Sequence, residues 1–312
     1  MPSCCIGAVS LAGADSGLWA VDGGNKRVCT GLLYHSKSEL INARVTSISV
    51  KTRSSKRGIT RVSAFGTRRC NLSGKFYTFI PIFLHHPFSG NPASFYEVNY
   101  VGESGSAHSL YDIVVIATPL HQGKSDITFS GFSPSIPSHY SGLYHHTVAT
   151  LVHGKLNVSY LGTTEPASEF SVSEILTTDS KGCVINSLSS LDPIHIPDGY
   201  KRPTTSQSKV WKVFSPKPLT QEQLKNMFLS YDAVSETPWL AYPAYRPPHR
   251  KTPPFILHNR LYYLNAVEWA ASAMEMSAIS ARNVALLAHH RWHEQVGKVD
   301  QEDLHTRLRG EL

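Results

Sequence analysis

The chain has 312 residues, 41% hydrophobic and 17% charged, a globular composition that excludes a disordered or fibrous polymer and can bury a sizeable core. Its net charge is +7, but eight Lys and Arg and no acidic residue fall between Lys51 and Ser89; taking those eight away leaves 22 basic against 23 acidic residues. One segment carries the whole excess, so no basic face for nucleic acid is read from it. No apolar run approaches the roughly 18 residues that a membrane-spanning helix needs.

The start, MPSCCIGAVSLAGADSG, lacks the basic region and long apolar core of a secretory signal. Five cysteines (Cys4, Cys5, Cys29, Cys70, Cys183) show neither zinc-type spacing nor the even count of a disulfide framework. Trp19 to Val21 form a short apolar run that ends at Asp22, Gly23-Gly24 make a tight turn, and Lys26 to Leu33 read as a short helix. Leu40 to Val50, LINARVTSISV, ends in alternating β-branched residues and reads as a strand.

Residues 52–89 break this pattern. They have no clear period and hold an apolar patch, Phe76 to Leu84, between turns. The reading is an atypical basic insertion, longer than compact domains carry as a loop and expected to be disordered. Ser94 to Val101 and Tyr111 to Thr118 are expected to form a hairpin-like pair around GESGSAHS. YDIVVIATP is a buried strand that Thr118-Pro119 stop.

From His121 onward short strands, such as Thr147 to Leu156 and Lys209 to Phe214, alternate with Ser-, Pro- and Thr-rich loops. A helix from Gln221 to Leu229 follows Thr220, whose capping-box partner is Gln223. Asn71-Leu72-Ser73 and Asn157-Val158-Ser159 match the glycosylation sequon. Pro238 to Pro254 read as a rigid, Pro- and aromatic-rich connection with Trp239, Tyr242 and Tyr245 as apolar faces.

Arg260 to Asn265 form a β-like run. It leads through Ala266-Val267-Glu268 into a long helix whose Ala270, Ala273, Met274, Ser277, Ala278, Ala281, Val284, Ala285 and Ala288 recur at three- and four-residue steps. A strand that runs into a helix N-terminus with small residues suits an anionic or polar cofactor, and equally a packing helix on a sheet. Asp300 to Leu312 read as a short charged amphipathic helix. The sixteen histidines are scattered, no Ser/His/Asp spacing stands out, no metal site is read, and the catalytic residues stay unassigned.

Three stretches carry a resemblance. RLYYLNAVEWAASAMEMSA with NVALLAHHRW, SLAGADSGLWAVDGGNKRVCTGLL, and the D-x-V-V-x-A-T-P strand resemble the prenylcysteine oxidase (prenylcysteine lyase) family of the flavin amine-oxidase-like superfamily. The resemblance implies an α/β fold: a partial FAD-binding, Rossmann-like domain with its first βαβ unit missing, plus an α+β substrate domain built on an antiparallel sheet. The implied division is 1–51 (partial FAD-binding domain), 52–89 (insertion), 90–120 (FAD-domain strands), 121–238 (substrate domain) and 239–312 (C-terminal flavin-binding strand and helix).

It further implies FAD as cofactor, with Gly23, Gly24, Val45, Ala117, Thr118, Pro119, Glu268, Ala273 and Met274 beside it. Val45 would pair the adenine edge through its backbone. Glu268 would hold ribityl or ribose hydroxyls, with a helix-capping carboxylate as the competing reading. The implied reaction takes farnesyl- or geranylgeranyl-cysteine, O2 and water to a prenyl aldehyde, cysteine and H2O2, and the implied compartment is the lysosome. No G-x-G-x-x-G turn occurs, so the chain is expected to look N-terminally truncated and to bind FAD weakly or not at all. A prenylcysteine oxidase-like relative and a catalytically dead fragment that binds prenyl groups or partners stay open. The oligomeric state is unread.

Overall fold

The computed structural model describes residues 20–52, 94–170, 172–177, 183–245 and 252–295, with the backbone alone at 62–65, 68–69 and 76–80. In chain order the elements are α1 (Lys26–Ser36), β1 (Glu39–Ile41), β2 (Ala43–Thr52), β3 (Val62–Phe65), β4 (Arg68–Arg69), β5 (Phe76–Ile80), β6 (Ser94–Gly102), β7 (Gly105–Tyr111), β8 (Ile113–Ile116) and β9 (Thr128–Ser130). There follow β10 (Tyr144–Leu156), β11 (Glu174–Leu176), β12 (Ser187–Leu191), β13 (Lys209–Ser215), α2 (Gln221–Met227), β14 (Phe228–Pro243), β15 (Ile256–His258), β16 (Leu261–Tyr263) and α3 (Met274–Trp292). The fold is mixed α/β, with several sheets. Inside the segment read as an insertion, the described backbone is strand at β3, β4 and β5; the rest of that segment and the helix expected at 300–312 lie outside the described residues.

The chain divides into two compact units. One takes Thr30–Gly142 and the described residues from Tyr245 onward; the other takes the described residues up to Cys29 and Leu143–Ala244.

In the first unit the buried run Ile113-Val114-Val115-Ile116 lies between parallel neighbours, β16 and β3. A strand paired on both edges and covered on both faces needs apolar residues at consecutive positions, as here. A second sheet of the unit has the order β7-β6-β2-β9. Strand β2 carries a bulge between Val45 and Ser47, which shifts the alternation so that both Val45 and Ile48 are buried. The hairpin partner of β6 is β7, in register from Tyr96↔Tyr111 to Gly102↔Gly105, and not the strand after Tyr111. A two-residue turn at Glu103-Ser104 suffices because Gly105 takes φ +101. The freed Ile113–Ile116 joins the other sheet.

Val45, Ile48, Tyr96, Val98, Ile116, Leu120, Tyr263 and Ala266 share one core cluster. Burying each such aliphatic side chain contributes about 1.5–3 kcal/mol. Tyr96 ties β6 to the β15–β16 hairpin. Its hydroxyl accepts the Arg260 N–H at 3.2 Å and shares a hydrogen bond with His258 Nδ1 at 2.7 Å. Phe132 stacks on Tyr96 and meets the His258 ring edge-on at 5.3 Å.

The second unit is a five-stranded antiparallel sheet in the order β11-β12-β13-β10-β14. One face packs Val152, Leu188, Trp211 and Val213 under α2 residues Leu224 and Met227. The capping box forms as read: Gln223 N–H donates to Thr220 Oγ1 at 3.2 Å, and Thr220 N–H donates to Gln223 Oε1 at 2.8 Å. The Pro-rich stretch departs from its reading, since Pro238 to Pro243 are the end of the 16-residue β14 rather than a connection. Strand β14 lies at the sheet edge, the position in a sheet that tolerates proline.

Two outcomes follow. Thr220→Ala removes the cap and is expected to cost ~1 kcal/mol of stability in urea unfolding. Burial first, then the Arg260 charge, pushes the His258 imidazole below its ordinary value. Folding therefore favours the neutral ring: that contribution is complete above about pH 6.5 and is lost as pH falls from there through the lower folded value. The thermal midpoint of the parent chain should drop further between about pH 7.5 and 5 than that of His258→Phe, which keeps a ring and cannot titrate. Equal drops in calorimetry would contradict this role for His258.

Candidate functional site

The candidate site is built where β8 and β16 end. The two strands are parallel and in register, Val114 beside Leu261 and Ile116 beside Tyr263. Their carboxyl ends therefore emerge side by side, the position at which open α/β sheets bind ligands. From β8 come Ala117, Thr118 and Pro119; Thr118 is buried. From β16 comes a 3-10 turn, Leu264–Trp269, and then α3. Leu120 N–H donates to the Tyr263 hydroxyl at 3.0 Å, and Tyr140 stacks on Tyr263 with ring centroids 5.8 Å apart. Burial pushes the Tyr263 phenol well above its ordinary range, and the Glu268 carboxylate adds to the shift. The phenol stays protonated and serves as a fixed tie between the two chain ends.

Glu268 lies within the 3-10 turn, half-buried, and its backbone carbonyl accepts the Tyr245 hydroxyl proton at 2.8 Å. It is not at a helix start. The helix begins at Met274 with Ala273 as its extended N-cap, and the acidic residue of its first turn is Glu275. The capping alternative for Glu268 is therefore set aside on geometry. Ala273 carries no capping side chain; its carbonyl accepts from both the N–H and the Oγ of Ser277, at 3.0 and 3.1 Å. Met274 is half exposed.

The packing face of α3 differs from the stripe of small residues. Ser280 and Val284 are buried, with Leu287, Ala288 and Trp292 packed beside Val284, while Ala278, Ala281 and Ala285 are exposed. The helix turns this way because Ser280 Oγ donates to the Leu264 carbonyl at 2.8 Å. A polar side chain that satisfies a carbonyl of the preceding turn is tolerated inside; a periodicity read from apolar residues alone passes it by.

Other residues escaped the sequence reading. Asn265, within the 3-10 turn, is buried, and its Oδ1 has no hydrogen-bond partner among the described residues. A lone Asn in an otherwise apolar LYYLNAV run is the signal that could have found it. Trp269 is buried against Gly142, where a Cβ would overlap the indole, and His121 Nε2 lies 2.9 Å from the Gly142 carbonyl.

The structure thus brings Ala117, Thr118 and Pro119 to the same sheet end as the turn with Glu268 that leads to Ala273 and Met274. The Val45 side chain lies in the core cluster that also holds Ile116, Tyr263 and Ala266. Gly23 and Gly24 belong to the second unit. Both take positive φ, +77 and +87, and Gly23 N–H donates to the Ile194 carbonyl at 2.6 Å. Among the described residues no three His, Cys, Asp or Glu gather as a metal set, and no helix is long and apolar enough to cross a membrane.

A donor-poor, acceptor-rich turn beside a helix N-terminus matches a ligand that has both hydroxyl and anionic or carbonyl groups, as FAD does. Asn265 Oδ1 is the acceptor that such a ligand would satisfy.

Comparison with known proteins adds the following. A family model described as prenylcysteine lyase matches residues 3–301. The chain is similar to prenylcysteine oxidase 1 of Homo sapiens (43% identical over 307 residues) and of Mus musculus (44% over 307 residues), in each case across 98% of this chain and 54% of the relative. It is also similar to prenylcysteine oxidase 1-like of Homo sapiens, 41% identical over 312 residues, with the same 98% and 54% coverage. The chain spans about half the length of the relatives it matches.

Two substitutions test the construction of the site. Gly142→Ala forces the Trp269 indole aside and is expected to cost ~1–3 kcal/mol in urea unfolding. Tyr263→Phe keeps the stack but orphans the Leu120 N–H, for a similar ~1–3 kcal/mol.

Proposed function

The chain belongs to the prenylcysteine lyase family, and on that premise we propose that it serves the FAD-dependent oxidative cleavage of prenyl-cysteine. Farnesyl- or geranylgeranyl-cysteine, O2 and water would give a prenyl aldehyde, cysteine and H2O2. The finer reading of the first unit, a Rossmann-like FAD-binding fold lacking its first βαβ unit, is part of the proposal. The parallel pairing of β16 with β8 supports it, although that pairing alone is common to many α/β sheets.

The observation that carries the proposal is the buried, unpartnered Asn265 Oδ1 at the carboxyl ends of those strands. Bound FAD would supply a hydride acceptor and the electrons that reduce O2. The chain's own residues would hold it. Asn265 and Glu268 offer acceptors for hydroxyl or N–H groups. Backbone from Ala117 to Pro119 borders the same place, and the start of α3 presents the positive end of a helix dipole. Tyr263 and Tyr140 keep the two borders in register and exclude water from between them.

A surface suited to the isoprenoid exists on the second unit's sheet, on the face opposite its core. Phe214 and Trp239 meet edge-to-face at 5.7 Å, and Leu151 is 40% exposed. Flat aromatic and branched aliphatic side chains match a polyunsaturated hydrocarbon in shape, and Lys212 Nζ, 4.8 Å from the Phe214 ring centroid, borders the patch. A lysosomal location and glycosylation at Asn157 belong to the same proposal, supported by family resemblance and by the sequon.

Titration of FAD into the purified chain is expected to quench flavin fluorescence saturably but with weak affinity, because no G-x-G-x-x-G turn is present to hold the pyrophosphate. Asn265→Leu or Glu268→Ala should weaken the apparent affinity about tenfold, the loss of one to two hydrogen bonds. Absence of saturable quenching would mean that this polypeptide does not hold the cofactor. Quenching unaffected by either substitution would place the flavin elsewhere.

A further inference from the structure

The last turn of α3 contains a feature that neither the fold nor the proposed reaction uses. His289 and His293, the C-cap of the helix, are four residues apart, both exposed, and the His293 N–H donates to the His289 carbonyl at 3.0 Å. Their ring centroids are 4.5 Å apart and their planes are inclined at 52°. We infer that His289 and His293 form a two-imidazole chelate for a divalent transition-metal ion at the C-terminal end of α3.

The spacing carries the inference. A metal about 2.1 Å from one nitrogen of each ring lies roughly 3.2 Å from each centroid, and an N–metal–N angle of roughly 90° then puts the centroids about 4.5 Å apart. The observed separation meets that value with no change of backbone. Histidines at i and i+4 share one helix face, which is why this spacing recurs in helical metal sites. His290 is next in sequence but points about 100° around the helix; its ring stands edge-on to His289 at 5.7 Å. It is outside the chelate.

Charge agrees with the geometry. The helix C-terminus is the negative end of the dipole and favours a cation. The exposed side leaves the remaining coordination positions to water. A pair of imidazoles with open positions favours Cu(II) over Ni(II) and Zn(II), in the order of general ligand affinity.

The test is calorimetric titration of Cu(II) into the full chain at neutral pH, with the electron paramagnetic resonance spectrum recorded at one equivalent. The expected result is a saturable site with nitrogen hyperfine structure from two imidazoles. It should weaken at least tenfold in His289→Gln and in His293→Gln, and be unchanged in His290→Gln. Because both positions are exposed, the variants should keep the parent's circular dichroism and thermal midpoint without metal. Tight Cu(II) binding that survives either His289→Gln or His293→Gln would assign the ion to other histidines and overturn the inference, as would the absence of a saturable site in the parent.

Discussion

The first unit depends on the parallel pairing of two short, largely buried strands, Leu261–Tyr263 and Ile113–Ile116. They are separated by more than 140 positions in sequence, and loop-closure entropy opposes their meeting. What offsets it is local and dense: apolar side chains at consecutive positions on both strands, and Tyr263, whose hydroxyl takes the Leu120 N–H just beyond the end of the partner strand. That bond ties together the ends of the two strands. The 3-10 turn, the Asn265 and Glu268 positions and the start of α3 all follow from where β16 ends.

The two units answer the same problem, the covering of a sheet, in different ways. In the first, two sheets share a core through Tyr96, whose hydroxyl bridges a backbone N–H and an imidazole. A buried phenol is costly unless it is hydrogen-bonded, and here it has two partners. In the second, a single antiparallel sheet buries one face beneath a short capped helix, and its other face carries the half-buried Phe214 and Trp239 beside the buried Ser187 and Ser189.

Much of the secondary structure was legible. The strand at YDIVVIATP, the strand and turn before the last helix, the capping box at Thr220 and the strands at Thr147 to Leu156 and Lys209 to Phe214 all rest on local pattern, and local pattern was enough. The failures have a common cause. The hairpin partner of Ser94–Gly102 was misassigned because Tyr111 lies at the junction of two strands of different sheets, and alternation does not show which sheet a strand joins. Pro238 to Pro243 read as a connection because proline opposes a strand everywhere except at an edge. Edge position is a property of the assembled sheet.

For the candidate site, the sequence by itself determined which residue types were present and their short-range order: a small-residue helix start, an acidic residue shortly before it, and the Ala117-Thr118-Pro119 stop. These depend on backbone propensity and on neighbours a few positions away. Only the tertiary structure decided which of them share a place. It put the ends of β8 and β16 together, assigned Gly23 and Gly24 to the other unit, rotated α3 onto Ser280, and buried the Asn265 amide. Each of these outcomes depends on hydrogen bonds and packing between residues distant in sequence. No window along the chain contains both partners of such a contact.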